Sequence, residues 1–187
     1  MTTTLHINLG ALNEAMVEEL RQQYGPAAEL EIWVPEKPEA WLTEAEFWQI
    51  IALLDWSKTG NDETIIAPAV AQLANLPLSH IHQFQDILSR KLWLLDTRAH
   101  ANASLQNDPQ AELSADYFLY DRCCVVANGR DFYEKVLHDP TQMPAGYSFS
   151  RLLSVASKAY RMKTGRDFVH VPACNYETYS NAEGWAE

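Results

Sequence analysis

The sequence predicts a mainly α chain: a multi-helix domain over residues 39–187 preceded by a small strand-helix-strand appendage over residues 1–38, α+β overall. Three observations predict it. Apolar residues recur at threes and fours through most of the chain from Phe47 to Tyr160. Helix-capping residues stand just before several of those runs. Strict apolar alternation is confined to the first 35 positions and a short stretch near the C-terminus.

In the appendage, Leu5, Ile7 and Leu9 alternate, Leu12, Met16, Leu20 and Tyr24 recur every fourth residue, and Leu30, Ile32 and Val34 alternate again. Gly25-Pro26 ends the helix and Pro35-Glu36-Lys37-Pro38 makes a stiff boundary. Two strands do not hold a sheet in water, so a third is expected, from the tail around Phe168 to Val171 or from a second copy of the chain in a homodimer. Trp33, on the face opposite Leu30 and Ile32, adds an apolar ring for such a contact.

The main domain opens on a capping box. Thr43 is the N-cap, Glu46 the reciprocal cap, and Leu42 is placed to staple onto Phe47. The helix is expected to run to about Lys58 before Gly60. Asp62 to Leu76 reads as helix, with Pro68 expected to bend it or delay its start. Ser79 can cap a long core helix in which Ile81, Phe84, Leu88, Leu92, Leu95 and Ala99 form one stripe, followed by a polar loop from Asn102 to Glu112. Ser114 caps the next helix, interrupted at Asn128-Gly129 and resumed from Arg130 to Leu137. Ser148 is expected to cap a last helix that Gly165 ends, and Phe168, Val169 and Val171 to add a strand.

Leu42 through Trp56, with Phe47-Trp48, the block Phe118-Leu119-Tyr120 with Arg122, Val126 to Arg130 leading into Phe132-Tyr133, and Lys158-Ala159-Tyr160 with Lys163-Thr164-Gly165 together resemble a bacterial domain-of-unknown-function family, number forty-two forty. The resemblance covers roughly residues 41–167. It implies a compact helical domain and brings no activity, cofactor or catalytic residue with it.

Fourteen basic against twenty-five acidic residues give a net charge of −11. That field repels phosphate backbones and anionic lipid, so neither nucleic acid nor membrane is expected as a partner, and a basic or complementary protein is favoured. The three cysteines, adjacent Cys123 and Cys124 and distant Cys174, make no disulfide framework. Together with an N-terminus that lacks a signal-like apolar run, they predict a cytoplasmic chain.

Arg122 lies on the apolar stripe of its helix, where a guanidinium needs a carboxylate opposite it. Asp55 and Asp96 are the candidates, and with His100 and Tyr120 they compose a cluster able to supply an acid, a base and an anion clamp. The same set serves equally as a structural network locking helix register, and that reading carries more weight. Asn128, Gly129 and Arg130 can form an anion-binding turn, although one glycine is more often a helix break. Core packing is the better account of the thiols. His82 and Asp86 stand one turn apart, and a single pair is not a metal site, so neither metal nor cofactor is expected.

These readings lead to a protein-interaction or regulatory module, of the kind an immunity protein exemplifies. The rival is a small enzyme working on an anionic metabolite through Arg122, Asp96, His100 and Tyr120. An open pocket joining those side chains favours the enzyme, and dry paired burial the module.

Overall fold

Thr43 starts the main domain as its sequence dictates. Its Oγ1 accepts from the Glu46 backbone N–H at 3.2 Å, while Glu46 Oε2 accepts from the Thr43 N–H at 2.7 Å, so two N–H groups that no helical carbonyl can reach are satisfied reciprocally. The structure is a computed structural model, and it describes residues 14–25, 41–105, 112–144 and 146–186. The chain divides into two units, Met1–Pro38 and Glu39–Glu187. Within the first, α1 spans Glu14–Tyr24, and Gly25 closes it at φ 88° with its N–H on the Arg21 carbonyl, the left-handed geometry that suits glycine.

The second unit carries α2 (Glu44–Ile51), α3 (Asp62–Asn75), α4 (Leu78–Leu94), α5 (Arg98–Ser104), α6 (Ala115–Ala127), α7 (Arg130–His138), α8 (Val155–Thr164) and α9 (Ala182–Trp185). Short 3-10 turns stand at Trp56–Lys58, Pro140–Gln142 and Ser150–Ser154. The architecture centres on α4, which packs against α2, α3, α6 and α8, while α8 also lies along α3. Ile81, Phe84, Leu88 and Leu92 make the stripe that α4 buries, meeting Phe47 of α2 and Phe118, Val125 and Val126 of α6 in one core. Phe47 and Phe84 touch with ring centroids 4.9 Å apart.

Several boundaries differ from expectation, each for a local reason. The first helix of this unit stops at Ile51 rather than near Lys58, because Asp55 turns its carboxylate onto the Ser57 N–H and hydroxyl at 3.1 and 2.6 Å and nucleates a 3-10 turn instead. Pro68 lies inside α3 and does not delay its start, which Asn61 caps at Asp62. Pro77, not Ser79, is the N-cap residue of α4. The core stripe breaks after Leu94, where Thr97 accepts from the His100 N–H at 3.3 Å and starts α5, so part of the expected polar loop is helical. The last helix follows the Ser150–Ser154 turn instead of a Ser148 cap.

The α+β expectation is corrected. The described residues are helical or irregular, and no strand occurs among them. The alternating segments 5–9 and 30–34, and Trp33, lie outside the described residues. The expected third strand is absent from Phe168 to Val171: Val169 and Val171 are 87% and 88% exposed, while Phe168 and His170 turn inward onto side chains of α4 and α8. Alternation there reflects an extended strap with one face on helices, and no neighbouring strand receives its backbone.

Gly165 ends α8 at φ 70° with nothing within 4 Å of where a Cβ would sit, so a substitution there meets backbone strain alone. Gly165→Ala is expected to cost about 1–2 kcal/mol. Urea denaturation checks this: an unchanged midpoint at unchanged slope would show that the left-handed cap is not needed.

Candidate functional site

Arg122 is fully buried at 0% exposure on the core side of α6. A guanidinium there must have its N–H groups satisfied. Nη1 donates to the carbonyl of Leu92 on α4 at 2.9 Å and to that of Tyr176 in the C-terminal segment at 3.1 Å, and Nη2 donates to Thr178 Oγ1 at 2.9 Å. Its face stacks over Phe118, 4.8 Å from the ring centre. Asp96, equally buried, stands 3.8 Å away, so the pair neutralise one another without a short direct bond. Burial lowers the Arg122 pKa and Asp96 works against that shift. Nε of Arg122 is the one nitrogen left without a hydrogen-bond partner.

Asp96 sits in the break between α4 and α5, and the C-terminal segment is folded around it. Its carboxylate accepts from the backbone N–H of Tyr179 at 3.2 Å, of Asn181 at 3.0 Å, from the Ser180 hydroxyl at 3.4 Å and from the Trp185 indole N–H at 3.0 Å. Tyr179 takes φ 74°, the one non-glycine residue with positive φ among those described. That conformation turns its N–H onto Asp96. Asn181 adds a bond to the Trp93 carbonyl at 3.2 Å and caps α9.

His100 follows one turn later, buried. Its Nε2 lies 3.1 Å from the Val136 carbonyl, which can only accept, so Nε2 carries the proton and Nδ1 accepts from the Thr97 hydroxyl at 2.7 Å. Burial, with Arg122 adding to it, lowers its pKa, and both nitrogens are committed to the protein. Tyr120 is half-buried against the core, and its carbonyl accepts the Phe149 N–H at 3.1 Å. Asp55 belongs to its own exposed turn. Of the five residues singled out, the structure therefore joins Asp96 to Arg122, sets His100 beside them, and places Tyr120 and Asp55 elsewhere. The partners that complete the arrangement, Tyr176, Thr178, Tyr179, Asn181 and Trp185, lack any periodic signal in the sequence.

Asn128 and Gly129 separate α6 from α7. Asn128 Nδ2 donates back to the Cys124 carbonyl at 2.8 Å, and Gly129 at φ 91° begins α7, so the turn serves as a helix break. The Arg130 charge acts on Glu44 of α2. Burial raises the thiol pKa of Cys123 strongly and that of Cys124 to about 11, the reverse of what a nucleophile needs. Asp121, half-buried on α6, is pushed up to about 7 by burial alone. A groove of about 380 Å³ lies along α4 between Glu44, Asp86, Arg90 and Lys91. Its cations are engaged: Lys91 bonds Glu44 at 2.7 Å and sits 4.9 Å over Tyr133, and Arg90 lies 4.7 Å over Trp93. Among the described residues, no group of three or more histidines, cysteines or carboxylates is arranged to hold a metal, and no helix is long and apolar enough to cross a membrane.

These features define a helical domain whose buried ion pair is closed by its own C-terminal segment. Residues 42–162 match the family described as protein of unknown function (DUF4240), and the chain belongs to that family. No curated protein and no solved structure matches it. Asp96 and Arg122 fall inside the matched stretch, and the segment that encloses them follows it.

Arg122→Ala strands the Asp96 carboxylate, two carbonyls and the Thr178 hydroxyl together, and is expected to destabilise by roughly 3–5 kcal/mol. A denaturant midpoint that does not move would show the pair to be dispensable. Asp121 tests the other carboxyl. A folded pKa above the unfolded value means the native state binds the extra proton, so its stabilising contribution is present at about pH 4 and lost as pH rises towards about 7. Asp121→Asn is expected to raise stability at about pH 8 by roughly 1–2 kcal/mol, discounted for solvent screening, and to change little at about pH 4. Equal effects at both pH values would refute the assignment.

Proposed function

We propose that this chain is a protein-binding module rather than an enzyme. The observation that carries the reading is the dry closure of Asp96 and Arg122, the anion and cation of its strongest candidate constellation. Both are fully buried and engaged by the chain itself, which leaves no reactive atom for a substrate to meet. The aromatic surface beside α6 supports the same reading. Tyr117 and Tyr147 are 68% and 70% exposed, and Trp56 is partly exposed. Trp56 and Tyr117 are linked through the interior: Trp56 packs on Phe149 at 5.1 Å, the Phe149 N–H bonds the Tyr120 carbonyl, and Tyr120 faces Tyr117 at 6.5 Å. Tyrosine and tryptophan offer large, stiff contact area with a polar tip, the chemistry of binding hot spots. The net charge of −11 favours a basic partner, the situation of an acidic immunity protein facing a cationic target.

The test is affinity capture with mass spectrometry, using the full chain and a Tyr117→Ser/Tyr147→Ser variant of matched melting temperature. A protein held stoichiometrically by the first and at least about tenfold more weakly by the second is expected, since each hot-spot aromatic contributes about 2 kcal/mol. Equal retention by both chains, or turnover of a small anionic metabolite by the purified protein, would overturn the proposal.

A further inference from the structure

The groove along α4 contains two opposite charges that the fold keeps apart. Asp86 and Arg90 stand four residues apart on α4, the spacing at which such a pair ordinarily bridges, with Cβ atoms about 5–6 Å from one another. Here each is drawn elsewhere. Asp86 Oδ1 meets His170 Nε2 at 2.8 Å and accepts the Ala173 backbone N–H at 2.9 Å. Arg90 lays its guanidinium 4.7 Å over the Trp93 ring, and its Nη1 reaches the Cys174 sulfur, a weak acceptor, at 3.9 Å.

These contacts leave polar atoms over. Stacking uses the face of a guanidinium and leaves its in-plane N–H edge free. Among the described residues, Nε and Nη2 of Arg90 donate to nothing, and Asp86 Oδ2 accepts nothing. A second carboxylate repeats the pattern: Glu44, in the first turn of α2, accepts from Lys91 Nζ at 2.7 Å and from the Trp48 indole N–H at 3.3 Å, both on Oε1, and its Oε2 has no partner among the described residues. Lys91 is spent. Its side chain is 10% exposed, with Nζ on Glu44 and 5.6 and 4.9 Å over the rings of Trp48 and Tyr133. All four charged residues line one groove of about 380 Å³, to which Ile87 and Leu94 add apolar surface. That volume stands at the small end of ligand pockets, roughly 300–1,000 Å³.

The geometry points to a binding site for a zwitterion, a free α-amino acid with an aliphatic side chain: its carboxylate takes the in-plane edge of Arg90, its ammonium takes Asp86 Oδ2 and Glu44 Oε2, and its side chain lies on Ile87 and Leu94. Such a ligand closes from outside the ion pair that α4 leaves unmade. The planar guanidinium fork matches a carboxylate bidentately, and an ammonium carries three donors and needs acceptors alone. A ligand with only one of the two charges fits worse. An anion without an ammonium leaves both carboxylates facing it, and a cation without a carboxylate leaves Arg90 unmet. A zwitterion has no net charge, so the field of a chain at −11 does not repel it. The site is separate from the aromatic surface beside α6 and stands whether or not that surface binds a protein.

Isothermal titration calorimetry of the full chain with L-leucine tests the site. The comparison ligands are L-leucine methyl ester, which lacks the carboxylate, and 4-methylpentanoate, which lacks the ammonium. L-Leucine is expected to bind one to one and both analogues at least about tenfold more weakly, a factor that one hydrogen-bonded charge supplies. Arg90→Gln, at an exposed position, and Asp86→Asn, which keeps an acceptor for the Ala173 N–H, are each expected to weaken L-leucine at least about tenfold. Methyl shifts of Ile87 and Leu94 in the unmodified chain locate the ligand without relying on a variant, and both are expected to move on addition of L-leucine. No heat and no methyl shift with millimolar L-leucine, equal binding of all three ligands, or an Arg90→Gln chain that binds L-leucine unchanged would each overturn the site.

Discussion

The fold depends on a charge that cannot be left alone. Burying Arg122 in a helical core is tolerable only while its N–H groups are met and Asp96 balances it, and two of its three hydrogen bonds are made to residues far along the chain, Tyr176 and Thr178. The Asp96 carboxylate makes the same demand in the opposite sense, accepting N–H groups from Tyr179, Asn181 and Trp185. A helical bundle of aliphatic stripes would close without either group. Their presence makes the C-terminal segment part of the core chemistry, although that segment contributes little regular secondary structure.

This arrangement accounts for the conformation of the segment. Regular structure satisfies backbone groups in a repeating pattern, whereas here a single carboxylate gathers the N–H groups of two nearby residues, which forces Tyr179 into the left-handed region. Gly184 reflects the same closeness: a Cβ there would stand 2.7 Å from the Thr97 methyl group, so only glycine lets α9 lie against the start of α5.

The helical part of this structure is legible in the sequence because its causes are local. The Thr43 and Glu46 box, the Ser114 cap and Gly165 are decided by residues within one turn, and the stripe of Ile81, Phe84, Leu88 and Leu92 by a period of 3.6. The need of Arg122 for a carboxylate was legible too, since it follows from desolvation alone, and Asp96 stood at the end of a stripe. What escaped was long-range or competitive. Phe168 to Val171 alternates like a strand, but alternation says only that one side is covered, and here helices do the covering. Asp55 and Thr97 ended helices that the apolar pattern would have continued, because short polar side chains bonded the backbone first. His170 meeting His82 joins residues far apart in sequence, and no spacing rule links them.

The family-matched stretch stops at residue 162, ahead of the residues that close over Asp96 and Arg122. The segment after it therefore behaves as a tethered ligand occupying a receptor built by α4, α5 and α6. Tethering by a short linker gives such a ligand an effective concentration on the order of millimolar, which a free peptide in a cell rarely matches. One backbone cut between Gly165 and Tyr176 turns the same contacts into a bimolecular association subject to dilution, and a single hydrolysed peptide bond then uncovers an ionised pair in the middle of the domain.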